Sequence, residues 1–217
     1  MLPYEHFLIV LSSPSGTGKS TLTTMLLEKY KNIKLSTSAT TRKPREGEID
    51  GFHYYFLTQE DFDKRVANDE FLEYAGVYGK SYGTLKKQIE DKFADGNDVL
   101  LDIDWQGNMQ VSKKVKDSSK IIKIFLLPPS ISELSRRLND RGTDSQEVIN
   151  KRMADAKNTI SHYNEYDHVI INDDINKAFE ELCSLIEAKR IENVKKDSLK
   201  NFVNALEEEW LINTLKF

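Results

Sequence analysis

Cysteine is almost missing from this chain: Cys183 is the only one in 217 residues. No intramolecular disulfide can form, and no thiolate metal cluster can be assembled. Cys183 stands in Phe179–Ile186 at helical spacing with its apolar neighbours, which predicts a core filler rather than a nucleophile. Long hydrophobic runs are also missing. The early apolar run Phe7–Leu11 is far too short for a signal-peptide core, and nothing approaches a membrane span. A cytoplasmic protein kept in reduced form is the expectation. Surplus positive charge is lacking as well: 31 Lys and Arg face 35 Asp and Glu, for a net charge of −4. That argues against nucleic-acid binding through bulk electrostatics. A protein of this balance that handles phosphate has to gather its cations locally. The four histidines, His6, His53, His162 and His168, show no metal-ligand or triad spacing.

What is present describes a folded globular chain, 39% apolar and 30% charged, long enough for one domain with subdomains. Short apolar runs at Phe7–Leu11, Val99–Leu101, Ile121–Leu127 and Val169–Ile171 read as buried strands, each followed by a helical stretch. Buried strands alternating with helices predict an α/β fold, a parallel sheet covered on both faces. Helices are expected from about Lys19 to Lys31, over Asp173–Arg190 and over Ser198–Leu211. Ser130-Ile131-Ser132-Glu133 has the form of a capping box that opens another. From Ser36 to Tyr82 the rhythm breaks. That stretch is rich in Thr, Tyr, Phe and Gly, with Tyr54–Leu57 strand-like, and predicts an inserted, mostly β lobe.

The first chemical motif is Ser13-Pro14-Ser15-Gly16-Thr17-Gly18-Lys19-Ser20, between a predicted strand and a predicted helix. It matches the G-x-x-x-x-G-K-[ST] phosphate loop (P-loop) everywhere but the first position, where Ser13 replaces glycine. Glycines let the backbone curl so that successive N–H groups face phosphate oxygens. The helix N-terminus adds partial positive charge. Lys19 should reach the β- and γ-phosphates of a nucleoside triphosphate, Ser20 should ligate Mg²⁺, and Ser13 through Thr21 make up the phosphate-binding stretch. Ser13 leaves open how the first turn is made without a glycine.

A second segment reads Ser38-Ala39-Thr40-Thr41-Arg42-Lys43-Pro44-Arg45, then Gly47-Glu48, Asp50-Gly51 and Tyr54. This order closely resembles the acceptor-binding signature of the guanylate kinase family, and the Ser-Pro-Ser-Gly-x-Gly-Lys loop is similar to that of its bacterial members. The resemblance runs from about Phe7 to Arg190. It implies a P-loop NTPase-type core at about 5–35, 96–129 and 161–191, a GMP-binding lobe at about 36–95 and a lid at about 130–160. It also implies an ATP:GMP phosphotransferase that is a monomer or homodimer, with no nucleic-acid or membrane partner. Arg42 and Arg45, with Tyr54 and Tyr82, would hold the GMP phosphate, which suits the planar bidentate fork of arginine. Phe71-Leu72-Glu73 resembles the family's base-reading element, with Ser38, Gly83 and Thr84 beside it. Guanine presents N1–H and N2–H₂ as adjacent donors, and an ionised Glu73 is an acceptor that takes both. Adenine lacks those donors, so it would leave the carboxylate unpaired.

Asp102 and Asp104 end the Val99–Leu101 strand, at the edge where open parallel sheets bind ligands. Asp102 has a Walker-B-like position suited to the metal's water shell. The resemblance puts both aspartates near GMP, while Asp104 also suits a helix cap. Arg137 and Arg141 share a helical face, Arg136 lies off it, Gly142 fits a helix end, and Arg152 follows. These resemble the family's lid, whose arginines close over the transferring phosphoryl group. Asn172 matches an asparagine that the family places near the ATP base, and it equally suits an N-cap. Two rivals stand beside this reading: a non-catalytic guanylate-kinase-like binding module, and a kinase for another phosphorylated acceptor. The first is opposed by the intact P-loop and lid arginines, the second by Ser38, Glu73 and Thr84. Residues 192–217 form a helical extension whose apolar stripe, Val194 to Leu211, is expected to dock on the body, with an oligomer interface as the alternative.

Overall fold

The structure, a computed structural model, describes residues 3–77, 79–140 and 145–214. The chain begins with strand β1 (Leu8–Ser12), the glycine loop and helix α1 (Lys19–Lys29). Strand β2 (Ile33–Leu35) leads into β3 (Ala39–Thr40), β4 (Tyr55–Phe56), α2 (Gln59–Ala67), β5 (Phe71–Val77) and β6 (Lys80–Leu85). Helix α3 (Lys86–Ala94) returns to β7 (Asp98–Asp102), then α4 (Trp105–Lys114) and β8 (Ile121–Leu127). Helices α5 (Ile131–Asp140) and α6 (Gln146–Ser161) precede β9 (His168–Ile171), α7 (Ile175–Glu192) and α8 (Lys196–Thr214).

Five strands form a parallel sheet in the order β2-β7-β1-β8-β9. The period-two alternation of strands explains both cores. Phe7, Ile9 and Leu11 face Leu22 and Leu26 of α1 and Leu182 and Ile186 of α7. Leu8 and Val10 face the opposite way, toward Ile89 of α3 and Val111 of α4. Cys183 is buried in the first core, as its helical spacing predicts. A second sheet, β4-β3-β6-β5, is built inside the Ser36–Tyr82 interruption and extends just past it. Around it Phe62 of α2 stacks on Phe71 at 4.5 Å between ring centroids.

The N-terminal end of β7 is fixed by charge rather than grease. Asp98 is fully buried and accepts from the Tyr4 hydroxyl at 2.8 Å and from Arg190 Nη2 at 2.8 Å and Nε at 3.1 Å. Asp98 and its partners hold the Arg190 guanidinium ionised against the opposing effect of its burial. Asp98→Ala removes the fully buried partner of that cation, leaving it the more exposed Glu187 and the Asn32 side chain, and is expected to cost about 3 kcal/mol of stability. Urea unfolding, comparing midpoints at constant slope, measures it.

One expectation is corrected here. Helix α8 does not dock its stripe on the body. Leu199, Phe202, Val203, Leu206, Trp210 and Leu211 are 42–67% exposed. The body meets the extension at its start, through a bridge between Tyr4 and Val194 and the Lys195 amide donating to the Pro3 carbonyl at 3.0 Å. Among the described residues no helix is long and apolar enough to cross a membrane.

Candidate active site

The glycine loop leaves the carboxyl end of β1, the central strand, and enters α1 at Gly18. Gly16 and Gly18 have φ of +92° and +97°, so the curl needs glycine at those two positions. Ser13 does not adopt a positive φ, which answers the question its presence raised: the first position requires no left-handed backbone. Its hydroxyl donates to the Pro14 carbonyl at 3.0 Å, and buried Thr17 donates to the same oxygen at 2.9 Å. The loop is therefore tied to itself before any ligand arrives.

Asn172, following β9, supports the loop from behind. Its amide Nδ2 donates to the Thr17 carbonyl at 2.7 Å while the residue is 2% exposed. A Cβ on Gly18 would stand 2.4 Å from that nitrogen. Gly18→Ala therefore combines backbone strain with a clash against a buried strut. It is expected to raise the KM for ATP about tenfold and to cost about 1–3 kcal/mol of stability, checked by steady-state kinetics and thermal melting. Asn172 Oδ1 is buried without a hydrogen-bond partner.

Lys19 lies at the mouth of the loop, ion-paired to Asp102 at the end of β7. Asp104, two residues on, takes a different direction. It is the N-cap of α4, accepting from the Gly107 amide at 2.9 Å. The two aspartates thus divide, one facing the phosphate loop and the other holding the start of a helix.

That helix start approaches the second sheet at Glu73. The β5–β6 register shifts between Phe71 and Glu73, so that Phe71, Leu72 and Glu73 are all buried in succession. A bulge of this kind re-aims side chains that simple alternation would point outward. Glu73 is 5% exposed and lies opposite Thr84. A Cβ on Gly107 would come within 3.0 Å of Glu73 Oε2, so glycine there lets the carboxylate in. Burial is the main reason the Glu73 carboxyl is pushed up to about 7; neighbouring Thr84 opposes the shift and the charge of Asp104 adds to it. Thr84 Oγ1 is itself buried and unpartnered. A buried carboxyl beside a buried hydroxyl is a site organised for a polar ligand. Gly83 is required by packing, since a Cβ would meet the Glu73 carbonyl at 2.8 Å. Ser38 joins this sheet through its carbonyl, which accepts from the Tyr55 amide at 2.9 Å.

At the other end of the same sheet, Arg42 forms a fork with Glu48, at 2.9 Å and 2.7 Å. Its guanidinium lies over the rings of Tyr54 at 5.1 Å and Phe56 at 5.7 Å. Tyr54 meets Tyr82 edge-on at 6.2 Å. The Arg42 fork, helped by the Arg45 backbone amide, holds the Glu48 carboxyl down to about 2. Glu48 stands in the sequence motif, but its role as the clamp on Arg42 is visible only in three dimensions. The Arg45 side chain is more exposed than that of Arg42.

In the lid region, α5 and α6 share a small core of Leu134, Leu138, Ile149 and Ala156. Leu138 and Leu134 also close on the loop, since a Cβ on Gly16 would meet their side chains at 2.9–3.1 Å. The capping box forms on one side: Ser130 Oγ accepts from the Glu133 amide at 3.1 Å, while the Glu133 carboxylate goes to Arg136 and Arg137. Arg137 Nη1 donates to the Asn172 carbonyl at 3.1 Å, which links lid to loop. Arg136 is 62% exposed in its side chain and pairs within its own helix. Arg152 is carried on α6. Arg141 and Gly142 lie outside the described residues. A cleft of about 360 Å³, lined by Gly76, Asp104, Trp105, Gln106, Lys151 and Asp155 among others, separates α6 from β5 and α4.

A curled glycine loop at the carboxyl edge of a parallel sheet, its lysine facing a strand-end aspartate, makes this a P-loop nucleotide-binding protein of the α/β class. The family model described as "Guanylate kinase" matches residues 5–189. Among the relatives, the guanylate kinase of Maricaulis maris is 46% identical over 93% of this chain and 92% of its own. That of Sphingopyxis alaskensis is 48% identical over 92% and 90%. The crystal structure of guanylate kinase from Anaplasma phagocytophilum superposes with a TM-score of 0.71 at 34% identity, covering 94% of this chain and 96% of that one. The chain belongs to the guanylate kinase family.

Proposed function

We propose that this protein transfers the γ-phosphate of ATP to GMP or dGMP, reversibly, giving ADP and GDP or dGDP. The observation that carries this reading is the pairing of two sites on one framework. Lys19 sits in a phosphate loop, and the buried Glu73 meets the same α4 start that follows Asp102. ATP is assigned to Ser13–Thr21, with Asn172 supporting the loop. GMP is assigned to the 36–95 lobe, its base to Ser38, Glu73, Gly83 and Thr84, and its phosphate to Arg42, Arg45, Tyr54 and Tyr82. Asp104 acts on GMP indirectly, through the helix start that shapes the base pocket.

The chemistry needs no covalent intermediate. A phosphate monoester is already a nucleophile, so the protein's work is alignment and charge stabilisation. Glu48 holds the Arg42 fork ready at the rim, which removes the ordering cost of a long side chain when the GMP phosphate arrives. Lys19 exchanges Asp102 for the phosphates of ATP. The lid arginines, Arg137 and Arg152 together with Arg141, stabilise charge that spreads over the phosphoryl oxygens in the transition state. Closure of residues 130–160 excludes water as a competing acceptor.

Ser20 and Asp102 are hard oxygen donors on the two sides of the loop mouth, which suits Mg²⁺. No cluster of three or more His, Cys, Asp or Glu side chains that could hold a metal occurs among the described residues. That donor set fits an ion that keeps several waters and is bound largely through the nucleotide's phosphates. When bound, Mg²⁺ would supply charge neutralisation at the β- and γ-phosphates. A cytoplasmic setting goes with this chemistry and with a single buried thiol.

The test is ATP-dependent diphosphate formation with GMP, dGMP, AMP, UMP, CMP and ribose phosphates assayed in parallel. Turnover confined to guanine nucleotides supports the assignment. Turnover on another acceptor overturns the reading of the base pocket, and silence on all of them in a folded, Mg²⁺-supplied protein overturns the enzyme reading.

A further inference from the structure

Helix α8 presents an apolar seam to solvent. Every residue from Leu199 to Leu211 is exposed. Leu199 is 48% exposed, Phe202 50%, Val203 42% and Leu206 48%. The positions 199, 203, 206 and 210 are spaced four, three and four apart, the repeat of a two-helix seam rather than of scattered surface hydrophobics. Phe202 flanks that seam.

The charges on α8 say what covers it. The helix and the residue before it start with Lys195, Lys196 and Lys200, against the single acid Asp197, and its later half carries Glu207, Glu208 and Glu209. Cations at a helix N-terminus oppose the helix dipole, so this polarity does nothing for α8 alone. It is complementary to a second α8 running the other way. A two-fold axis between residues 204 and 205 sets Val203 of one copy against Leu206 of the other, and Lys200 against Glu207. Parallel pairing would instead stack the three glutamates on their own copies.

We propose that α8 is a self-association surface, and that two copies of this chain pair their α8 helices antiparallel about a two-fold axis. Such an interface is isologous and closes on itself. A single helix pair falls short of the ~800 Å² per partner of a standard interface, so the dimer is weak and reversible. Among the described residues, the body meets each α8 at its start, through the Tyr4–Val194 bridge and the Lys195 amide.

Sedimentation equilibrium on the full chain, across a wide micromolar range, tests this. The wild type is expected to show a concentration-dependent dimer. Leu206→Glu buries an unpaired charge at the seam and should weaken the dimer by about tenfold or more. Lys200→Glu should weaken it less, and adding Glu207→Lys should restore it to within about threefold of wild type, because the antiparallel pair is then reversed and intact. Unchanged far-UV circular dichroism and thermal midpoint show that each variant is folded. A wild type that stays monomeric throughout overturns the proposal, as does a dimer indifferent to Leu206→Glu. Failure of the double charge reversal to restore association overturns the antiparallel arrangement.

Discussion

Lys19→Ala is expected to lower kcat/KM for phosphoryl transfer by about 10³-fold with almost no change in thermal stability. The size follows from what Lys19 does in the transition state. A cation fixed at the β- and γ-phosphates interacts most strongly when negative charge moves toward them, and a closed lid makes that interaction stronger still. A second effect adds to the loss. Asp102 faces Lys19 across the loop mouth, so removing the lysine leaves a carboxylate confronting the incoming phosphates. Its side chain is 34% exposed and that of Lys19 21%, too wet for the pair to stabilise the fold by more than about 1 kcal/mol. Activity and stability should therefore separate. Single-turnover kinetics and melting curves on the same preparations measure both. Lys19→Ala with activity within tenfold of wild type would mean that the loop does not position the transferred group, and the assignment of ATP to it would fail.

The phosphate loop was legible in the sequence because its requirements are local. A strand, two glycines at positive φ, a lysine and a helix start occupy consecutive residues, and short-range backbone physics decides them. The parallel strands were legible for a similar reason: Phe7–Leu11 and Ile121–Leu127 are apolar at nearly every position, which only burial on both faces explains. The acceptor sheet was less so. The strand Phe71–Val77 opens with a bulge that buries Leu72 and Glu73 together, and no periodicity rule anticipates a break in its own period. The need for glycine at 107 comes from a carboxylate more than thirty residues earlier in the chain. Asp104 carried two readings in the sequence, acceptor-site residue and helix cap, and the structure shows the cap. The docking expectation for α8 failed because an amphipathic stripe states only that a face needs covering. It does not say which molecule supplies the cover.

Replacing Glu73 by glutamine should move activity and stability in opposite directions. On the activity side, the guanine edge presents two donors, and a glutamine amide can offer its oxygen to one while its NH₂ confronts the other. Loss of about 10²–10⁴-fold in kcat/KM for GMP is expected, with discrimination against AMP shrinking by a similar factor. On the stability side the sign follows from linkage. The folded protein holds a proton on Glu73 up to about pH 7, whereas the unfolded chain releases it near the ordinary value of 4.5. Between those values the folded state binds more protons, so stability falls as pH rises from 4.5 to 7 and stays reduced above. A glutamine amide has nothing to ionise, and at pH 8 the Glu73→Gln variant should be more stable than wild type by about 1–3 kcal/mol. At about pH 4 the two should converge. The same proton sets the pH dependence of recognition, because a protonated Glu73 no longer accepts both guanine donors. The KM for GMP should rise as pH drops below about 7 more steeply in the wild type than in the glutamine variant, because protonation of the GMP phosphate acts on both alike. Urea unfolding at about pH 4 and pH 8, with GMP kinetics across the same interval, separates the possibilities. A variant that is stabilised yet still selects GMP would show that burial of Glu73 is real and base reading lies elsewhere in the lobe. A variant that is both inactive and destabilised at the alkaline end would show that the carboxylate is a structural strut. Only the opposed pair of shifts marks a residue kept at a cost to the fold for the sake of the ligand it reads.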